Sequence, residues 1–202
     1  MANIEISDLP QRRINVVGTS GTGKSTFAAR LAERLGVPYL QMDTLYWKPD
    51  WTPSTDEEFF PRLEVALQQE QWVLDGNFTI TNELKWSYAR LVIWLDFPFL
   101  LVMWRATRRA LSRAVSGEEV WPGSGNVETF SRLFSRESVL WWTLKTFYLN
   151  RRKYAALMQS PPYDHLQFVR LRSPKEAERF LEACSLQARG NDPKEAPLIQ
   201  DS

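Results

Sequence analysis

The sequence has one cysteine, Cys184, and one histidine, His165, among 202 residues. A lone cysteine excludes an internal disulfide framework and a multi-cysteine zinc site, and it suits a reducing compartment. Neither sign of charge dominates: 25 lysines and arginines stand against 24 aspartates and glutamates. No global basic field exists to hold nucleic acid nonspecifically, so nucleic acid is not an expected partner and any anion site must be local. No apolar run approaches the roughly 20 residues of a membrane span, and the amino-terminal MANIEISDLPQRR has no apolar centre of the kind a secretory signal carries. The expectation is a soluble cytoplasmic protein, with a monomer as the default state.

With 44% apolar and 24% charged residues, the composition suits one compact domain able to bury a core without staples. Short β-branched or apolar runs alternate with helical periodicities. Ile14–Val17 reads as a strand ending at Gly18, and Phe27, Ala28, Leu31 and Leu35 recur at helical spacing until Gly36. Further strands are expected at 38–42 with Asp43 at its end, at 72–74 delivering Asp75-Gly76-Asn77, at 91–95 before Asp96, and at 166–171. Ser54 and Glu57 suggest a capping box opening a helix, and Ser173 with Glu176 suggests another that ends near Cys184. A helix after Pro98 leads to the loop SGEEVWPGSG, and a long helix with one apolar stripe is expected from about 127. Such alternation implies a parallel sheet covered on both faces, with ligands at the carboxyl ends of its strands.

Gly18-Thr19-Ser20-Gly21-Thr22-Gly23-Lys24-Ser25 fits G-x-x-x-x-G-K-S/T between an expected strand and helix, and Thr26 follows without a separate role. Glycines allow the tight turn and turn backbone N–H groups inward, where phosphate oxygens accept them. Lys24 reaches the terminal phosphates and Ser25 is placed to ligate magnesium. This is a nucleotide triphosphate cradle. No N-K-x-D sequence is present to read guanine, so ATP with Mg2+ is the expected cofactor pair, with the turn Leu171–Pro174 as a wall for the base.

Two carboxylates, Asp75 and Asp96, end neighbouring strands and are alternatives for supporting the magnesium. Arg105, Arg109 and Arg113 lie at i, i+4 and i+8 on one helix face before the Gly-rich loop, with Arg108 beside them. A row of guanidinium groups on a closing lid suits the charge spread over a transferring phosphoryl group. Arg132 and Arg136 flank the loop's other side as weaker candidates. The segment Asp43-Thr44-Leu45-Tyr46-Trp47-Lys48-Pro49-Asp50-Trp51 places aromatic rings and a carboxylate just after the second strand, a pattern suited to an acceptor pocket in which Asp43 orients a hydroxyl.

With GTSGTGKST, MDTLYWKPDW, WVLDGNF, LVIWLDFP and RATRRALSR, most of residues 13–182 resembles the adenylate-kinase-related P-loop kinases, in the branch often labelled DNA topology modulation proteins. The resemblance implies a three-layer fold with five parallel strands, the P-loop strand central, a short acceptor region (about 43–70) and a lid (about 114–127) within a single domain over 1–184. Residues 185–202 are expected to be a disordered tail. The resemblance also implies that Asp75 with Gly76 and Asn77 faces the substrate and supports the metal, that Arg105 and Arg109 are the lid arginines, and that Asp43 matches the carboxylate shikimate-kinase-like members use on their acceptor. Tyr46, Trp47 and Asn77-Phe78 stand where adenylate kinases place monophosphate-clamping arginines. AMP is therefore not the expected acceptor, and only Lys48, Lys85 or Arg90 could substitute. The sequence reads as an ATP-dependent kinase acting on a small acceptor; the alternative is a regulatory ATP-binding protein or ATPase that modulates DNA topology.

Overall fold

The computed structural model describes residues 12–117, 119–121, 125–126, 139–159 and 161–190. Five parallel strands make the central sheet: β1 (Arg13–Gly18), β2 (Tyr39–Gln41), β5 (Trp72–Asp75), β6 (Leu91–Leu95) and β7 (Gln167–Leu171), in the order β2-β5-β1-β6-β7. Ile14, Val16, Val17, Val73, Leu74 and every residue of β6 are buried, because helices cover both faces and leave no polar side to the strands. Helices α1 (Lys24–Leu35) and α7 (Pro174–Gly190) lie against each other, and Phe27, Leu31, Ala177 and Leu181 join Ile14, Ile93 and Leu171 in one core. On the opposite face α3 (Asp56–Leu67), α4 (Asn82–Tyr88) and α6 (Val139–Gln159) contribute Phe59, Leu63, Trp86 and Tyr154 to a second core around Val92 and Trp94.

The central position of β1 follows from its pairing on both edges, with Ile14 opposite Val73 on one side and Leu91 on the other. Its carboxyl end, where the phosphate loop begins, therefore sits between β5 and β6. Asp75 and Asp96 reach the same edge of the sheet from either side.

Several local expectations differ from the structure. The second strand stops at Gln41, and Asp43 lies in the first turn of a short helix, α2 (Met42–Tyr46), rather than at a strand end. Met42 is fully buried there with its side chain against Gly76, so packing turns the chain inward before the strand can extend. The capping box opening α3 uses Thr55 and Glu58, not Ser54 and Glu57. Ser54 is buried and accepts a hydrogen bond from Arg62 Nη2 at 2.9 Å, which removes it from the cap. A two-residue hairpin, β3 (Trp47–Lys48) with β4 (Thr52–Pro53), and helix α4 were not evident from periodicity, being too short to establish one. Ser173 does cap α7, accepting from the Glu176 N–H at 3.2 Å, but the helix continues past Cys184 to Gly190, inside the stretch expected to be a tail. The first half of the expected long helix, with Arg132 and Arg136, lies outside the described residues, as do 191–202 and part of the expected lid. Among the described residues no helix is long and apolar enough to cross a membrane.

Candidate functional site

The loop after β1 turns into α1 through Gly23, the helix N-cap, at φ +86°. No side chain caps α1 and its first turn holds no acidic residue, so its N-terminal N–H groups and positive dipole end face a space suited to an anion. Thr22 closes the turn on Thr19, whose carbonyl accepts the Thr22 N–H at 3.1 Å and the Thr22 hydroxyl at 2.8 Å. Gly21 has φ +89°, and a Cβ there would stand 2.6 Å from the Val102 carbonyl and 2.9 Å from Ala106 Cβ of α5 (Phe99–Ser116). Only glycine lets the phosphate loop pass beneath that helix. Thr26 is exposed and Lys24 and Ser25 are partly so.

Asp75 is 1% exposed, and neither carboxylate oxygen has a hydrogen-bond partner among the described residues. A buried carboxylate left so is costly unless a cation or ordered water completes it. The Tyr39 phenol stands beside Asp75 without completing a hydrogen bond of full geometry: burial first, then the Asp75 charge and its hydrogen bonding toward Asp75, push the phenol upward, and Ser25 acts on the same hydroxyl. Asp43 belongs to this group. Burial raises its carboxyl above the ordinary value, Lys24 and Arg109 pull it back, and Asp75 adds to the rise. Lys24, Asp43, Asp75, Ser25 and Arg109 thus converge from the phosphate loop, α2, β5 and α5 at the carboxyl edge of the sheet. One or two carboxylates beside a phosphate cradle form a donor set that fits magnesium, which keeps several waters and takes its remaining ligands from phosphates.

Asp96 is employed differently. Its carboxylate, 5% exposed as a residue, pairs with Arg151 at 3.2 Å and with the Arg170 guanidinium, which also lies 4.5 Å from the Trp94 ring centroid. This ion pair ties α6 to β6 and β7, and of the two strand-end alternatives only Asp75 faces the cradle without an ion pair among the described residues. Asp96→Ala should lower stability by about 2 kcal/mol, less than the 3–5 of a fully buried pair because both arginines keep solvent contact. Urea unfolding monitored by circular dichroism would measure this loss, and nucleotide affinity should stay at the parental value.

Arg105 donates to the Thr22 carbonyl at 3.3 Å, and Arg109 donates to Ser20 Oγ at 3.2 Å. These arginines therefore face the phosphate loop, whereas Arg108 lies over the exposed Trp104 ring and Arg113 reaches the Val120 carbonyl at 3.4 Å. Beside them opens a cavity of about 370 Å³ walled by Thr22, Phe27, Arg105, Arg109, Pro174 and Leu181. Its apolar walls next to guanidinium groups suit a nucleoside. The expected base wall at 171–174 contributes Pro174, while Ser173 is taken up by the α7 cap.

The aromatic segment lies on the other flank, beyond Asp43. Tyr46 packs against Trp47, Phe59 and Phe78 at centroid distances of 5.0, 5.1 and 4.7 Å, and Trp47 continues to Trp51 and Trp51 to Trp121. Tyr46 and Trp47 are part-buried, so each contributes to packing and keeps some surface exposed. Asp50 and Trp51 adopt positive φ, 58° and 56°, a strained conformation for tryptophan that is held by its N–H donating to Asn126 Oδ1 at 2.6 Å. Lys48 is ion-paired with Glu58 at 2.6 Å and Lys85 is fully buried, so neither extends toward an acceptor. Asn77 is also spent on structure, bonding the Gly18 backbone in both directions. Tyr39, Tyr154 and Thr143, whose hydroxyl donates to the Ser20 carbonyl at 3.4 Å, were missed by sequence reasoning, since each looks like an ordinary core position.

No family model matches the chain. The uncharacterised protein YqaC of Bacillus subtilis is 29% identical over 123 residues, spanning 58% of this chain and 66% of that protein. A shikimate kinase of Synechococcus elongatus is 34% identical over 97 residues, which is 41% of this chain and about half, 51%, of that enzyme. The solved shikimate kinase of Acinetobacter baumannii, in complex with shikimate, aligns over 92% of this chain and 97% of its own with a TM-score of 0.51 and 17% identity. The shared fold is that of the P-loop kinases.

Proposed function

We propose that this chain is an ATP- and magnesium-dependent phosphotransferase that moves a γ-phosphoryl group to a hydroxyl of a small acceptor. The observation carrying this reading is the buried Asp75 carboxylate beside a phosphate cradle, with no ion pair among the described residues and only the Tyr39 phenol near it, and with Asp43, Lys24 and Arg109 converging on the same point. The sequence similarity to shikimate kinases over part of the chain supports a small-molecule acceptor. A DNA-regulating role draws no support from a charge balance of 25 against 24.

In this reading the phosphate loop, residues 18–25, binds the phosphates through backbone N–H groups, and the cavity by Phe27, Pro174 and Leu181 takes the nucleoside. Asp75 and Ser25 would hold the magnesium, which when bound supplies positive charge to the phosphate oxygens. Lys24 and Arg109 stabilise charge on the transferring group. Asp43, on the opposite flank from the nucleoside cavity, orients the acceptor hydroxyl and receives its proton, with Tyr46 and Trp47 as walls. Arg105 holds the Thr22 carbonyl and so keeps the loop shaped.

Arg109→Ala should lower the single-turnover rate about tenfold or more while nucleotide affinity changes less than threefold, because its contact strengthens as charge develops. An unchanged rate with saturating acceptor would remove Arg109 from the chemistry. The whole reading is tested by a coupled ADP-release screen over nucleosides, nucleoside monophosphates, polyols and hydroxy acids, with phosphorylated product identified by mass. Acceptor-dependent ADP production is expected; tight ATP binding with no transfer across the panel would overturn it.

A further inference from the structure

Between Asp75 and α4 the chain makes a turn, Gly76-Asn77-Phe78, that the proposed chemistry does not use and that is pinned at every residue. Gly76 donates its N–H to the Val16 carbonyl at 3.2 Å, continuing the β1–β5 pairing beyond the strand. It has φ +148°, and a Cβ would lie 2.6 Å from Met42 Cβ. Asn77 then bridges the turn to the first residue of the phosphate loop. Its Oδ1 accepts the Gly18 N–H at 3.0 Å, its Nδ2 donates to the Gly18 carbonyl, and the Tyr154 hydroxyl donates to the same Oδ1 at 3.2 Å. Tyr154 is fully buried on α6, so the amide is held from behind as well.

Lys85 closes the turn from below. Its side chain is fully buried, and Nζ donates to the Phe78 carbonyl at 3.1 Å and reaches the Gly76 carbonyl at 3.5 Å. No carboxylate pairs with it among the described residues. A lysine in such a place is expensive, and a methionine would fill the same space without the desolvation cost. Burial lowers its ammonium well below the ordinary value, and Lys153 adds to this. What the amine supplies is a donor shared between two carbonyls of the turn that immediately follows Asp75: it reaches the Gly76 carbonyl, and it joins the Thr81 N–H at 3.2 Å and the Thr81 hydroxyl at 2.7 Å on the Phe78 carbonyl.

We infer that Asn77 and Lys85 are positioning residues that fix the offset between the Asp75 carboxylate and the start of the phosphate loop, and that this offset sets how much a divalent cation adds to nucleotide binding. Asn77 thereby leaves the set of acceptor contacts, because both ends of its carboxamide are taken by one glycine. The inference rests on the reading that the loop holds a nucleotide and Asp75 its metal.

The test is calorimetric titration of the full chain with a non-hydrolysable ATP analogue, in magnesium and in EDTA, for the parent, Asn77→Ala, Lys85→Met and Tyr154→Phe. For the first two variants, the affinity gained on adding magnesium should fall about tenfold, with affinity in EDTA within about threefold of the parent. Tyr154→Phe removes one hydroxyl and should reduce the gain about threefold; it carries the test if the other two do not fold. An unchanged gain would overturn the inference and return Asn77 to the acceptor site. Equal losses in both conditions would also overturn it, assigning the turn to fold stability alone. A parent that gains nothing from magnesium would instead overturn the metal reading itself, a result visible before any variant is made.

Discussion

Replacing Lys24 with alanine is expected to reduce single-turnover phosphoryl transfer roughly 100-fold or more, about 3 kcal/mol of transition-state stabilisation. The reason lies in where the side chain starts. Lys24 is the first residue of α1, behind a glycine N-cap that offers no side-chain oxygen, so the helix end presents backbone N–H groups and the Lys24 ammonium, with the Arg105 and Arg109 guanidinium groups beside them on the loop. The N–H groups bind ground state and transition state alike. A flexible lysine ammonium would follow charge as it shifts between the bridging and terminal oxygens, and its loss should therefore be felt in the rate. Lys24 also lies close enough to Asp43 to lower that carboxyl, so its removal should raise the Asp43 value further. Transfer within a factor of two of the parent, in a variant with unchanged circular dichroism, would rule out the catalytic reading.

Asp43→Asn should leave nucleotide affinity near the parental value while phosphoryl transfer falls roughly 100-fold, the usual contribution of a positioned base. Asparagine keeps the size and one acceptor oxygen but loses charge and basicity. If both affinity and transfer remain parental, Asp43 is a helix-turn residue and the acceptor lies elsewhere; if both collapse, it belongs with Asp75 at the metal. The pH dependence gives an independent check. Burial raises the folded Asp43 carboxyl, so its base form is lost as pH falls through a value above the ordinary carboxylate range of about 3.9. Transfer should therefore rise with pH through that raised midpoint, and the corresponding step should be absent from the Asp43→Asn profile.

Much of the site was legible because the phosphate loop is contiguous in sequence. Its glycines, Lys24 and Ser25 need only a strand before and a helix after, and both form where periodicity placed them. The arginine row was legible for the same reason, since i, i+4 spacing puts Arg105 and Arg109 on one face of a helix whatever the rest of the chain does. Helical spacing alone did not say which of the row faces the phosphate loop; the family resemblance singled out Arg105 and Arg109, and these two do reach it. Arg108 turns to Trp104 and Arg113 to Val120, an outcome decided by how α5 rotates as it packs over Gly21.

The carboxylates mark the boundary between the two kinds of information. Asp75 and Asp96 look alike in sequence, each closing an apolar strand. Asp96 is paired by Arg151 and Arg170, residues distant in sequence, while Asp75 is buried with no ion pair among the described residues. Asn77 and Lys85 show the same limit, because their partners Gly18, Gly76 and Phe78 meet only once β5 has paired with β1 and α4 has folded beneath the turn.

By itself, then, the sequence determined the alternating architecture, the phosphate cradle and the helix face that bears the arginines, all of which depend on spacing along a few turns or one strand. The tertiary structure alone decided the division of labour among like residues: one aspartate neutralised and one left facing the cradle, one lysine at the phosphate loop and one buried under a turn, aromatic rings committed to packing with a part-exposed flank. Local propensity acts over neighbouring residues, whereas the cost of burying a charge depends on what the rest of the chain brings to meet it.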